Sequence, residues 1–230
     1  NQMSQRLITL GDSTMQFNHF KKFPQTGWPQ ALVRFIKPNV EILNFAVNGK
    51  STKNYISLGL FDKALSHVQQ GDIVIIGFGH NDVKVEDETR FTEPDGSYQQ
   101  NLKYMVEKCQ AQKADVILLT SIIERRFENG KLIDSPHLEY TKAAKKLAQE
   151  LNIPCVDLYE ATKQKISKEG EEASKRFYMN FGPNLYASHP DGLSDNTHLR
   201  YDGAFLVANC FYEEMKKQHL HDDIFLELEV

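Results

Sequence analysis

What this chain of 230 residues has little of narrows its possible roles first. It has three cysteines, Cys109, Cys155 and Cys210, so at least one is unpaired, and none belongs to a CxxC pair. They sit among apolar residues and read as small buried hydrophobes, so a disulfide scaffold is not indicated and a reducing compartment is preferred. No apolar run approaches the ~18 residues of a membrane span. The formal net charge is only −4, and no basic stripe offsets it, which argues against nucleic-acid binding. No Pro/Gly/Ser-rich linker, internal repeat or low-complexity tract divides the chain, so one domain over residues 1–230 is expected. There is also no HExxH, no P-loop and no GxGxxG after a strand, so neither a metal nor an organic cofactor is expected. No signal peptide precedes the first apolar segment. A cytoplasmic location is therefore the expectation, with secretion the alternative if such a segment has been removed.

What remains is ordinary globular material, 40% apolar and 25% charged. Five short apolar runs read as strands: 6–10, 41–47, 72–78, 115–120 and 154–158. Runs such as IVIIGF and VILLT are apolar on both faces, as in a parallel sheet covered on each side. Between the strands the apolar spacing turns helical over 54–69, 101–113, 136–151 and 203–217. Strand alternating with helix predicts a doubly wound, three-layer α/β domain. Two connections, 81–98 and 180–200, are long for such a fold, and long connections usually carry function.

Ligands of open α/β sheets bind beyond the carboxyl ends of the strands. Three strand ends here carry glycine with small polar or ionisable residues: Gly11-Asp12-Ser13, Asn48-Gly49-Lys50-Ser51 and Gly79-His80-Asn81-Asp82. The second long connection holds Asp195-Asn196-Thr197-His198. Singly, each is a turn or a helix cap. Together they are complete for acyl transfer. A serine hydroxyl needs a base, a histidine with a pKa near ~6.5 can be one, and its other ring nitrogen needs an acceptor to fix the tautomer. Asp195, three residues before His198, can fold back to be that acceptor. The Ser13 N–H, the Gly49 N–H and the Asn81 amide are candidate oxyanion donors. Ser13 is expected to open a helix and so to gain from the helix dipole.

These blocks resemble the four that define the GDSL or SGNH hydrolases, which contribute Ser, Gly, Asn and His in chain order. The resemblance spans roughly residues 7–215 and implies a flavodoxin-like sheet of five parallel strands. It also implies a Ser13–His198–Asp195 triad, an oxyanion hole of Ser13, Gly49 and Asn81, and no cofactor. Within the superfamily the chain looks most like the rhamnogalacturonan acetylesterases. Gly-Asp-Ser-Thr at 11–14, Gly-His-Asn-Asp at 79–82 and Gly203-Ala204 opening the last helix carry that likeness.

The activity implied is removal of O-acetyl groups from a pectic polysaccharide or oligosaccharide through an acyl-enzyme. A lysophospholipase or thioesterase, an acetyl xylan esterase, and an inactive carbohydrate-binding relative are the alternatives. His80, Asp12 and Lys50 are further candidates for substrate contact. Lys50, Lys53, Lys84, Arg125, Arg126 and Arg200 form a candidate basic rim that would steer a polyanion. The C-terminal DIFLELEV reads as a partner-facing segment or a final packed strand. The sequence leaves the oligomeric state open.

Overall fold

The computed structural model describes residues 5–228, which form two compact units. The first comprises residues 5–13, 37–121 and 136–157. It holds strands β1 (Arg6–Gly11), β2 (Glu41–Asn44), β3 (Ile73–Gly77), β4 (Asp115–Leu119) and β5 (Cys155–Val156), in the order β2-β1-β3-β4-β5. Every pairing is parallel. This is the flavodoxin-like arrangement that the family blocks imply.

Its helices are α1 (Thr52–Ser57), α2 (Leu60–Leu65), α3 (Gln99–Ala111) and α4 (Leu138–Glu150). Strand residues Ile8, Leu10, Val74, Ile76, Val116 and Leu118 pack against their apolar stripes, including Phe61, Leu102, Met105, Val106, Ala144 and Leu147. The opposite strand face, Leu7, Ile73, Ile75, Ile117 and Leu119, is equally buried. Alternate residues on both faces are thus out of water, which is why these strands read as unbroken apolar runs.

The expected helix over 54–69 is in fact two short ones. Gly59, at φ +77°, takes the left-handed conformation between α1 and α2, where a side chain would be strained. The strand expected over 41–47 is regular only to Asn44. Beyond it the Phe45 and Val47 amides still donate to the Thr9 and Gly11 carbonyls, at 2.8 and 3.0 Å, so the chain keeps running beside β1.

The second unit comprises residues 14–36, 122–135 and 158–228. It holds a small hairpin at 127–132, helix α5 (Leu158–Glu169), strands β6 (Tyr178–Phe181) and β7 (Leu193–Leu199), and helix α6 (Tyr201–Lys217). β6 and β7 pair antiparallel, so the connection expected over 180–200 starts and ends in a strand pair, with an irregular segment at 182–192 between them. Trp28, in a 3-10 turn over Trp28–Arg34, packs on Phe211 of α6 at 5.2 Å between ring centroids. Gly203, in the first turn of α6, sits where a Cβ would lie 1.9 Å from the Phe177 carbonyl oxygen.

Of the C-terminal octet, Ile224 and Phe225 are buried, and the Leu226 amide donates to the Phe35 carbonyl at 2.8 Å. That part is a packed segment; the last two residues lie outside the described residues. Among the described residues no helix is long and apolar enough to cross a membrane.

Candidate active site

Within the first unit the three strand-end blocks leave adjacent strands, because β1 lies between β2 and β3 and Gly11 is in register with Gly77. Ser13 follows β1 in a turn over residues 13–15, and the next regular element is only a 3-10 turn at Phe20–Lys22. No helix starts at Ser13. The dipole contribution expected there is absent, because Gly11 ends the strand and the chain turns at once.

Gly49 has φ +73° with open space where a Cβ would stand. Glycine is needed at that position for its backbone angle, and it leaves the N–H unshielded on that side.

The Asn81 side chain is oriented by two bonds. Arg90 Nη1 donates to Oδ1 at 2.9 Å, and Nδ2 donates to the Lys50 carbonyl at 3.2 Å. A guanidinium can only donate, so this contact assigns oxygen and nitrogen within the amide. Arg90 is itself held by Asp87, Nε to Oδ2 at 2.7 Å.

The neighbouring Asp82 is fully buried. It accepts from the Thr52 amide at 3.0 Å, the Thr52 hydroxyl at 2.6 Å and the Thr92 hydroxyl at 2.7 Å. It therefore ties the Asn81 loop to the first residue of α1, three residues past Gly49. Burial pushes its pKa up to about 6, against the lowering pull of the Thr52 and Thr92 hydrogen bonds.

Asp12 is also fully buried, and His80 is 7% exposed with its ring 4.3 Å from that of His137. Neither offers a substrate much surface. Lys50 remains partly exposed.

The second unit carries the histidine. On β6 and β7, Tyr178 pairs with Leu199, but the next residue, Met179, pairs with Asp195. Asn196, Thr197 and His198 fall between these pairs and bulge from the ladder, the usual device for turning a side chain out of a sheet. Asp195 Oδ1 accepts from the Thr197 and His198 amides, at 2.8 and 3.0 Å. Its Oδ2 meets His198 Nδ1 at 2.7 Å. Burial resists ionisation of Asp195, but the His198 and backbone bonds outweigh it and hold the carboxyl below its ordinary pKa. An ionised carboxylate only accepts, so Nδ1 carries the proton and Nε2 is left as the basic nitrogen.

The bulge is fixed from outside. Asn180 accepts from the Asp195 amide at 2.9 Å and donates to Asn196 Oδ1 at 2.9 Å. Thr197 donates its hydroxyl to Glu124 at 2.7 Å. Arg125, expected on an exposed rim, is only 7% exposed. Its guanidinium donates to Asn196 Oδ1, Ser174 Oγ and the Glu171 carbonyl, and its amide donates to the Asn196 carbonyl. It clamps the bulge and steers nothing. Among the described residues no group of three or more His, Cys, Asp or Glu is placed to hold a metal ion.

Residues 9–203, a span that includes all four blocks, match the GDSL-like lipase/acylhydrolase family. The chain belongs to that family. It is 35% identical over 212 residues to the rhamnogalacturonan acetylesterase RhgT of Bacillus subtilis (strain 168), covering 92% of this chain and 90% of the relative. It is 28% identical over 216 residues to YesY of the same strain, a probable rhamnogalacturonan acetylesterase, covering 94% of each. Among solved structures, YxiM of Bacillus subtilis superposes with a TM-score of 0.80 at 22% identity. That match takes in 95% of this chain but 58% of YxiM, so the chain spans a little over half of the longer protein, and the likeness speaks to the fold.

Within the GDSL-like frame, sequence patterns pick out Ser13, Gly49, Asn81, Asp195 and His198. They do not pick out Asp82 as a junction, Arg90 as the group that orients Asn81, or Asn180, Glu124 and Arg125 as supports of the bulge. The doubled Asn-Asp at 81–82 is the one local signal, since it reads as a turn element and not as a buried acceptor.

Proposed function

We propose that this GDSL-like hydrolase is a serine carbohydrate esterase. In this reading it removes O-acetyl groups from a rhamnogalacturonan-like pectic polysaccharide or oligosaccharide. The observation that carries the chemistry is the Asp195–His198 pair, at 2.7 Å and on a bulge braced by Asn180, Glu124 and Arg125. The 35% identity to a rhamnogalacturonan acetylesterase supports the substrate class.

In this reading Ser13 Oγ attacks the acetyl carbonyl and His198 Nε2 takes its proton. The tetrahedral oxyanion is met by the Ser13 and Gly49 N–H groups and by the second N–H of the Asn81 amide, each donor worth roughly 3–4 kcal/mol of barrier. The C–O bond to the sugar breaks as His198 passes the proton to the departing sugar oxygen, which leaves as a hydroxyl and gives acetyl-Ser13. Water, deprotonated by His198, then releases acetate. Asp195 stays ionised throughout and stabilises the imidazolium.

Hydrolysis of a chain-length series of 4-nitrophenyl esters tests the mechanism, with Ser13→Ala as control. Turnover should peak at acetate and vanish in the variant. A preference for octanoate or longer esters would favour the lysophospholipase alternative, and an unchanged Ser13→Ala would remove the mechanism. Acetate release from acetylated rhamnogalacturonan, set against acetylated xylan, then decides the sugar.

A further inference from the structure

Three aromatic rings, Phe23, Tyr186 and Tyr201, gather on the surface of the second unit, and Tyr201 stands three residues past His198 in the chain. Phe23 lies parallel to Tyr201, with centroids 5.6 Å apart and planes at 9°, and meets Tyr186 edge-on at 5.7 Å. Phe23 is 50% exposed and Phe20 beside it 77%. Phe20, Lys21, Phe23, Leu185, Tyr186 and Ser188 line a cleft of about 580 Å³. Arg200 lies 5.2 Å from the Tyr201 ring centroid and 5.8 Å from that of Tyr186, with Nη2 on the Tyr201 hydroxyl at 3.0 Å.

The cluster is built rather than incidental. Ser188 Oγ donates to the Phe23 carbonyl at 2.7 Å, the Thr26 amide donates to the Leu199 carbonyl at 2.9 Å, and Gln25 bridges to Arg200. These bonds fix the rings to the two residues that directly follow His198.

Exposed apolar surface held this rigidly marks a binding site, and the volume suits a small ligand. We infer that this cleft is a subsite for a uronate-bearing sugar ring next to the acetylated residue, an inference that rests on the pectic reading above. A pyranose ring offers an apolar C–H face that stacks on Phe23 and Phe20. Its carboxylate suits Lys21 in the lining, with the Arg200 guanidinium against the Tyr186 and Tyr201 rings as a second positive charge outside it, and the lining contains no acid to oppose it. An acyl chain would gain nothing from the lysine, the arginine or the tyrosine hydroxyls.

The test uses the full chain carrying Ser13→Ala, so that nothing turns over, and titrates it calorimetrically with a deacetylated galacturonate-rhamnose oligosaccharide and with a xylo-oligosaccharide. The acidic ligand should bind preferentially. Phe23→Ala and, separately, the more exposed Phe20→Ala should weaken it about five- to tenfold, and Arg200→Gln should reduce the preference over xylan. Equal binding of the two ligands, or affinities unmoved by all three substitutions, would overturn the subsite.

Acetate release by the chain with Ser13 intact separates the two failures. If acetylated rhamnogalacturonan is hydrolysed while the calorimetry fails, only the subsite is wrong. If 4-nitrophenyl acetate is hydrolysed but no pectic acetate is released, the substrate reading is wrong, and the subsite falls with it.

Discussion

Replacing Asp195 with asparagine separates what the carboxylate does for the fold from what it does for the histidine. Oδ1 accepts the Thr197 and His198 amides, and an asparagine oxygen can keep both bonds. Oδ2, 2.7 Å from His198 Nδ1, becomes an NH2 group, so two donors would face each other. The imidazole escapes by moving its proton to Nε2, which removes the lone pair that deprotonates Ser13 in the proposed mechanism. With the turn intact and the tautomer wrong, kcat on 4-nitrophenyl acetate should fall about 10³- to 10⁴-fold, roughly 4–5.5 kcal/mol. The melting temperature should move little. Asp195→Ala should lose as much activity and also the two backbone bonds, lowering stability by about 1–3 kcal/mol. The Asp195 carboxyl is held below its ordinary pKa, so the stability it adds is complete above the unfolded value near ~3.9 and is lost only as pH falls through the lower folded value. Neutral-pH assays therefore compare like with like. An Asp195→Asn variant within tenfold of the parent would refute the tautomer argument, whatever its stability.

Asp82 has the opposite pH dependence. With its folded pKa raised to about 6 from an ordinary 3.8, the native state holds the proton more tightly, so stability should fall as pH rises from about 4 to 6. The loss is on the order of 3 kcal/mol at neutral pH, and Asp82→Asn should remove that pH-dependent segment. Urea unfolding from pH 4.5 to 7.5 reads it, and parallel curves for parent and variant would refute it. Arg90→Ala should lower kcat about tenfold with KM kept, since Asn81 loses the donor that orients its amide; a change in KM alone would show that Arg90 serves binding instead. Gly203→Ala forces a Cβ to within 1.9 Å of the Phe177 carbonyl oxygen, where backbone cannot give way. A loss of roughly 3 kcal/mol or more is expected, about 6–12 °C in Tm, and a melting temperature within about 2 °C would show that α6 shifts to accommodate it.

The sheet and the candidate groups for the proposed chemistry were legible in the sequence, and the side chains that hold those candidates were not. The sheet was readable because parallel strands buried on both faces leave unbroken runs such as IVIIG, and strand-end glycines mark where each run stops. Ser13, Gly49 and Asn81 stand just past those ends and His198 stands three residues after Asp195, so local pattern is enough to nominate them as candidates. The hairpin that carries Asp195 and His198 was hidden because LSDNTHL does not alternate, and its pairing depends on YMNF across an intervening turn-rich segment. Arg125 was misread because a charged residue after an apolar run resembles a solvated rim. Its acceptors, Ser174, Glu171 and Asn196, lie 46 to 71 residues away and only folding brings them to it. Arg90 escaped for a different reason, since its contact with Asn81 crosses a loop with no periodicity to read. A bulge needs outside bonds because its residues leave the ladder, so the Asp195–His198 geometry depends on side chains that no motif contains. In the proposed mechanism the sequence motif supplies the reacting groups, while the geometry of the Asp195–His198 pair rests on Asn180, Glu124 and Arg125.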